Sequence, residues 1–66
     1  MYDILVKKRK EKGYTAADMA RVIEQSIANY SKKENGKVKF TLSEALLIAD
    51  FLDEKVENIF LKNNLQ

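Results

Sequence analysis

A chain of 66 residues with neither cysteine nor histidine has few side chains able to do covalent or metal chemistry. Thiolate nucleophiles, Cys/His zinc sites and the usual imidazole base are excluded together. Carboxylates, lysines, tyrosines, hydroxyls and carboxamides remain. The acids Asp50, Asp53, Glu54 and Glu57 gather toward the C-terminus, but a solvated acidic face accounts for them without a metal. No catalytic residue, metal, cofactor or small-molecule ligand site is identified, and no enzyme is expected. The chemistry left is polar contact. Asn29 carries a carboxamide able to meet adenine N6 and N7 through two hydrogen bonds, while Ile27 and Ala28 beside it offer only apolar contact to thymine methyls. Thr15, the backbone amides of Ala16 and Ala17, Asn35, Lys37 and Lys39 suit phosphate oxygens. Each lysine taken alone is equally well explained as solvated surface.

The charge pattern sharpens that reading. The formal net charge is only +2, yet residues 1–39 carry ten Lys/Arg against five Asp/Glu, and residues 40–66 carry two against five. A basic N-terminal half attracts a polyanion and an acidic C-terminal third is kept from it, provided the fold separates them.

Those residues need elements to hold them. The chain is long enough for one domain, near the lower size at which a core forms without disulfides or metal, so association with a second copy would help. The longest apolar run is five residues, Ala45 to Ala49, so no membrane span or signal segment is read and a cytoplasmic setting is the default. No proline and 45% apolar residues suit an all-helical fold. Between Thr15 and Gly36 two short helical patterns meet across about three residues, Ile23 to Gln25, too few for a loop. Thr15 is placed to cap the first, with Asp18 three residues on; Ser26 is placed to cap the second, which stops at Asn35-Gly36. So tight a corner makes the helices cross steeply, and Ala20 supplies the small side chain at the crossing. The spacing is that of a helix-turn-helix, and equally that of an ordinary corner in a small helical domain.

The whole pattern predicts helices over about 3–12, 16–23, 26–34, 42–52 and 56–61, with a frayed tail at 62–66. On the first, Leu5 and Arg9 share a stripe, Lys8 falls where an apolar residue is preferred, and Gly13 ends the helix. Tyr14 is expected to staple against Met19 or the next turn. The inner positions of the third helix are expected to be Tyr30 with Ala28 or Asn29. Thr41-Leu42-Ser43-Glu44 is a capping box. Leu42, Ala45, Ile48, Ala49 and Leu52 keep the helical period behind it, while Leu46, Leu47, Phe51, Phe60 and Leu61 form an apolar surplus that suggests an interface.

Taken together, Arg9, Gly13-Tyr14-Thr15, Met19-Ala20, Ser26, Tyr30, Glu34-Asn35-Gly36, Phe40-Thr41-Leu42 and Ile48 resemble the phage repressor and Cro-like, XRE-type helix-turn-helix family. The resemblance spans about residues 4–61 and is strongest toward small repressors of Firmicute phages, on Tyr30, Lys33-Glu34, Gly36, Phe40-Thr41-Leu42 and Glu44-Ala45. It implies a five-helix, all-α, lambda-repressor-like domain. It also implies a homodimeric transcriptional regulator, a repressor of phage or prophage type, bound to double-stranded DNA at a two-fold symmetric operator. One recognition helix per subunit would lie in successive major grooves, roughly 34–36 Å apart. That helix would be Ser26 to Lys33, with Ile27, Ala28, Asn29, Ser31 and Lys32 facing bases or the adjoining backbone and Tyr30 on the core side. By the same resemblance Arg9 and Glu34 form a structural salt bridge.

The chain departs from the family pattern at defined places. Ala16 stands where many relatives have glutamine, and Glu24 where a glycine with positive φ is usual, at a cost of about 1 kcal/mol or more if the turn is kept. Gln25 replaces an apolar neighbour, and Asp53-Glu54 replaces a glycine and an apolar residue. The missing glutamine, with the apolar Ile27 and Ala28, keeps open a second reading, a protein-interaction module of antirepressor or antitoxin-like kind on the same scaffold.

Overall fold

A computed structural model describes residues 2–61; the tail expected at 62–66 lies outside the described residues, as does the side chain of Leu61. The described chain is all-helical, with five helices and no strand: α1 Asp3–Glu11, α2 Ala16–Val22, α3 Ile27–Glu34, α4 Leu42–Phe51 and a last π-type turn, α5, Glu57–Leu61. α2 packs on α3 and on α4, and α1 packs on α5.

Local chemistry sets the starts of three helices. Thr15, Ser26 and Thr41 sit in extended backbone, and each hydroxyl accepts the amide three residues on, from Asp18, Asn29 and Glu44. At Thr15 and Thr41 the carboxylate returns the bond to the cap amide, closing a capping box. The ends follow a second rule. After α1 to α4 the chain turns through one residue of positive φ, and paired amide-to-carbonyl bonds satisfy the last turn, as in Tyr14 N–H to Arg9 O at 3.0 Å. Gly13 and Gly36 hold two of these positions; Glu24 and Asp53, both at φ 56°, hold the others. The turn geometry is therefore kept at Glu24 although the glycine is not, and Asp53 repeats the arrangement after α4. An L side chain there costs roughly 1 kcal/mol.

The core is Leu5, Met19, Ala20, Ile23, Tyr30, Ala45, Ile48, Ala49, Leu52, Ile59 and Phe60. Leu5 alone of the Ile4-Leu5-Val6 run is fully buried, as one helix stripe allows. Edge-on ring contacts close the N-terminal end: Phe40 meets Tyr2 at 5.3 Å, Phe60 at 5.2 Å and Tyr30 at 6.1 Å between centroids. Such pairs add about 0.5–1.5 kcal/mol each beyond burial. They anchor the loop after α3.

Three sequence expectations are corrected. Ala28 and Asn29 are exposed rather than inward, because Tyr30, Lys33 and Glu34 at i, i+3 and i+4 form the inner stripe of α3. Leu42 is in phase with the core stripe but 74% exposed, since it begins α4 at the rim of an apolar groove shared with Tyr2, Phe40, Val56 and Phe60. Phe60 belongs to the core and not to a surface surplus. Beyond the expected packing, Tyr14 lies against the core and its ring meets Phe51 of α4 at 4.5 Å, a contact between elements that spacing does not reveal.

Candidate nucleic-acid interface

α3 has two unlike faces. On the inner one, Glu34 accepts from Arg9 Nε at 2.9 Å, from Arg9 Nη2 at 3.3 Å and from the Tyr30 hydroxyl at 2.7 Å. Arg9 spends a further N–H on the Tyr14 carbonyl at 3.0 Å. This cluster ties α1, the α1–α2 turn and α3 together. Burial, reinforced by the Glu34 carboxylate, pushes the Tyr30 phenol well above its ordinary range, so it stays a protonated donor. Lys33 Nζ reaches Glu44 Oε1 at 2.6 Å, fastening α3 to the start of α4. Glu44 thus serves both its capping box and an ion pair. Desolvation works against its charge, but the bonds from Lys33 and the Thr41 amide outweigh it and lower the carboxyl below its usual range.

On the outer face Ile27, Ala28, Asn29 and Lys32 are exposed and Ser31 is partly buried. Ser26 Oγ fixes the Asn29 backbone at 3.1 Å, and the Asn29 carboxamide donates through Nδ2 to Gln25 Oε1 at 3.3 Å. No acid lies in the first turn of α3, unlike α2 and α4. No first-turn carboxylate therefore opposes a polyanion at this helix start, where the backbone dipole is positive.

The residues read as phosphate ligands fall into two groups. Lys37 and Lys39 are exposed, and among the described residues neither they nor Lys32 enters an ion pair. The backbone amides of Lys37 and Val38 bond the Lys32 carbonyl at 2.9 and 3.3 Å, which seats this loop against the end of α3. Asn35 is exposed there as the C-cap. At the start of α2 matters differ. The Thr15 amide is already taken by Asp18 Oδ2 at 2.8 Å, chiefly through which the Asp18 carboxyl is held below its ordinary range. That carboxylate stands beside Ala16 and Ala17, both partly buried, with Arg21 at 3.3 Å from its other oxygen. The Thr15 amide is thereby spent, and an anion here faces both the Asp18 carboxylate and the exposed Arg21 guanidinium.

Sequence reasoning missed Lys33 with Glu44, Lys8 with Glu54 at 3.3 Å, and Gln25 with Asn29. The signal for the first was available: Lys33 lies one turn from the inward Tyr30, and Glu44 is a placed carboxylate. The acids of the C-terminal end line an open depression with Lys55 and Asn58, and no group able to hold a metal ion occurs among the described residues.

A family model described as helix-turn-helix matches residues 5–59. Comparison with curated proteins and with solved structures gives no match.

Proposed function

Because the chain belongs to the helix-turn-helix family of the XRE type, whose members are DNA-binding transcription regulators, we propose that it is a sequence-specific repressor of phage or prophage type. It acts as a homodimer on a two-fold symmetric operator, with α3 of each subunit in the major groove. The observation that carries this reading is the division of α3: Tyr30, Lys33 and Glu34 lock its back to the core, and Ile27, Ala28, Asn29 and Lys32 are offered to solvent as a set. Asn29 reads adenine, Ile27 and Ala28 contact thymine methyls, and Lys32, Lys37, Lys39 and Asn35 hold phosphates that set register. Thr15, Ala16 and Ala17 contribute through backbone proximity alone, given the Asp18 carboxylate beside them. Dimerisation uses the outer ridge of α4, where Leu42, Leu46, Leu47 and Phe51 are exposed, half or more for the three leucines. No helix among the described residues is long and apolar enough to cross a membrane.

Selection of bound sequences from a random duplex pool at about 0.1 M salt tests this without guessing a target. Enrichment of an inverted repeat with half-sites about one helical turn apart is expected. A folded protein that enriches nothing contradicts it. The alternative, a protein-interaction module, draws on Ile27 and Val38, apolar side chains about half exposed beside the lysines. A stable protein complex that survives high salt, with no sequence preference on DNA, would favour it.

A further inference from the structure

We propose that Gln25 is a specificity-determining positioning residue, which holds the Asn29 carboxamide in the orientation that reads a base. This rests on the DNA-reading role of α3 and adds to it a residue that touches no base. The three capped helices supply the argument by contrast. In α2 and α4 the third helical residue is an acid whose side chain folds back to the cap amide, Asp18 to Thr15 at 2.8 Å and Glu44 to Thr41 at 3.0 Å. In α3 that residue is Asn29. Its backbone takes the Ser26 hydroxyl like the others, but its side chain turns to Gln25 Oε1, four residues back and outside the helix, at 3.3 Å.

The donor count makes the contact useful. A primary amide has two N–H donors and an oxygen acceptor. Gln25 takes one N–H and leaves the other with Oδ1, the pair a bidentate contact to adenine N7 and N6 requires. The backbone of Gln25 is itself fixed. Its main-chain N–H bonds the Ala20 carbonyl at 2.9 Å, and the residue before it, Glu24, holds the positive φ of 56° that aims the chain out of α2. Without Gln25 the exposed Asn29 side chain samples several rotamers and must order on binding.

The test compares wild type, Gln25→Met, Asn29→Ala and the double variant, each checked for an unchanged thermal melt. Gln25→Met keeps the length of the stem and removes the acceptor. Two readouts are taken: the order parameter of the Asn29 side-chain amide in the free protein, and binding to the selected duplex against duplexes changed at the position Asn29 reads. Gln25→Met is expected to lower the amide order parameter and cut discrimination at that position roughly three- to tenfold, the scale of one hydrogen bond. It should have no further effect once Asn29 is alanine. Unchanged order and unchanged discrimination in Gln25→Met, with discrimination still lost in Asn29→Ala, overturn the role of Gln25 and leave DNA reading intact. Equal losses on every sequence from Gln25→Met also overturn it, since a residue that only supports the helix acts that way. If Asn29→Ala changes no preference, base reading by Asn29 fails and the role of Gln25 with it.

Discussion

The inner face of α3 is held by three hydrogen bonds to the Glu34 carboxylate and a 2.6 Å ion pair from Lys33, whereas among the described residues one 3.3 Å side-chain bond orders the outer side of the same eight-residue helix. Both faces mix polar and apolar side chains, so hydrophobicity alone does not distinguish them. What differs is solvent. Inside, each charge has been desolvated and needs its partner, which makes the geometry specific and its loss expensive. Outside, water can replace any contact, and the same residue types stay free to be claimed by a ligand. A short helix can thus be rigid in position and uncommitted in its exposed chemistry.

The comparison breaks most visibly at Glu34. With both side chains of the Arg9–Glu34 pair only 11% exposed, Glu34→Ala strands Arg9 and the Tyr30 hydroxyl and should cost about 3–5 kcal/mol. For a domain of this size, with total stability of roughly 3–10 kcal/mol, that leaves little or no folded protein in a denaturant titration. The outer face predicts the opposite behaviour. Asn29→Ala should shift stability by no more than about 0.5 kcal/mol, read by the same titration. The turn preceding α3 gives a gain: Glu24→Gly removes the strain of an L residue at φ 56° and should stabilise by about 0.5–1 kcal/mol. A loss of melting temperature in that variant would show that the Glu24 side chain makes a compensating contact.

Acid separates the faces as well. Glu44, on the inner network, titrates below its ordinary value of 4.5 because the bonds from Lys33 and Thr41 outweigh desolvation. A carboxyl lowered by folding contributes stability that is present above its unfolded pKa and lost as pH falls through its folded one. The melting temperature should therefore fall on acidification below about 4.5, and Glu44→Gln should flatten that limb while lowering the plateau. Asp18, partly exposed and lowered mainly by the Thr15 amide, contributes in the same direction.

What the sequence reveals follows from whether a rule is local. Thr15, Ser26 and Thr41 are legible as caps because each needs only a residue three positions on, and Gly13 and Gly36 because positive φ favours glycine. The five-helix architecture follows from those stops and the 3.6-residue period. The Arg9–Glu34 pairing spans 25 residues, so resemblance implies it and local spacing does not. Lys33 with Glu44 escapes a reading that takes every lysine of a basic helix as solvated surface, although its spacing from Tyr30 marks it as inward. Leu42 shows the converse limit: periodicity places it on the core stripe, but only tertiary structure shows that the stripe runs out into a groove of about 350 Å³ at its first residue. Gln25 was visible as a departure from an apolar position, without the bond to Asn29 that gives it a use.

The most direct test measures wild type, Asn29→Ala and Lys37→Ala against the selected duplex and its single-base variants over a range of salt. Asn29→Ala should lose preference at one base pair by about 1–3 kcal/mol and leave the other positions unchanged. Lys37→Ala should weaken every sequence alike and reduce the salt slope by about one. Uniform losses from Asn29→Ala, or no dependence on base identity in the wild type, would contradict a helix whose outer face reads DNA.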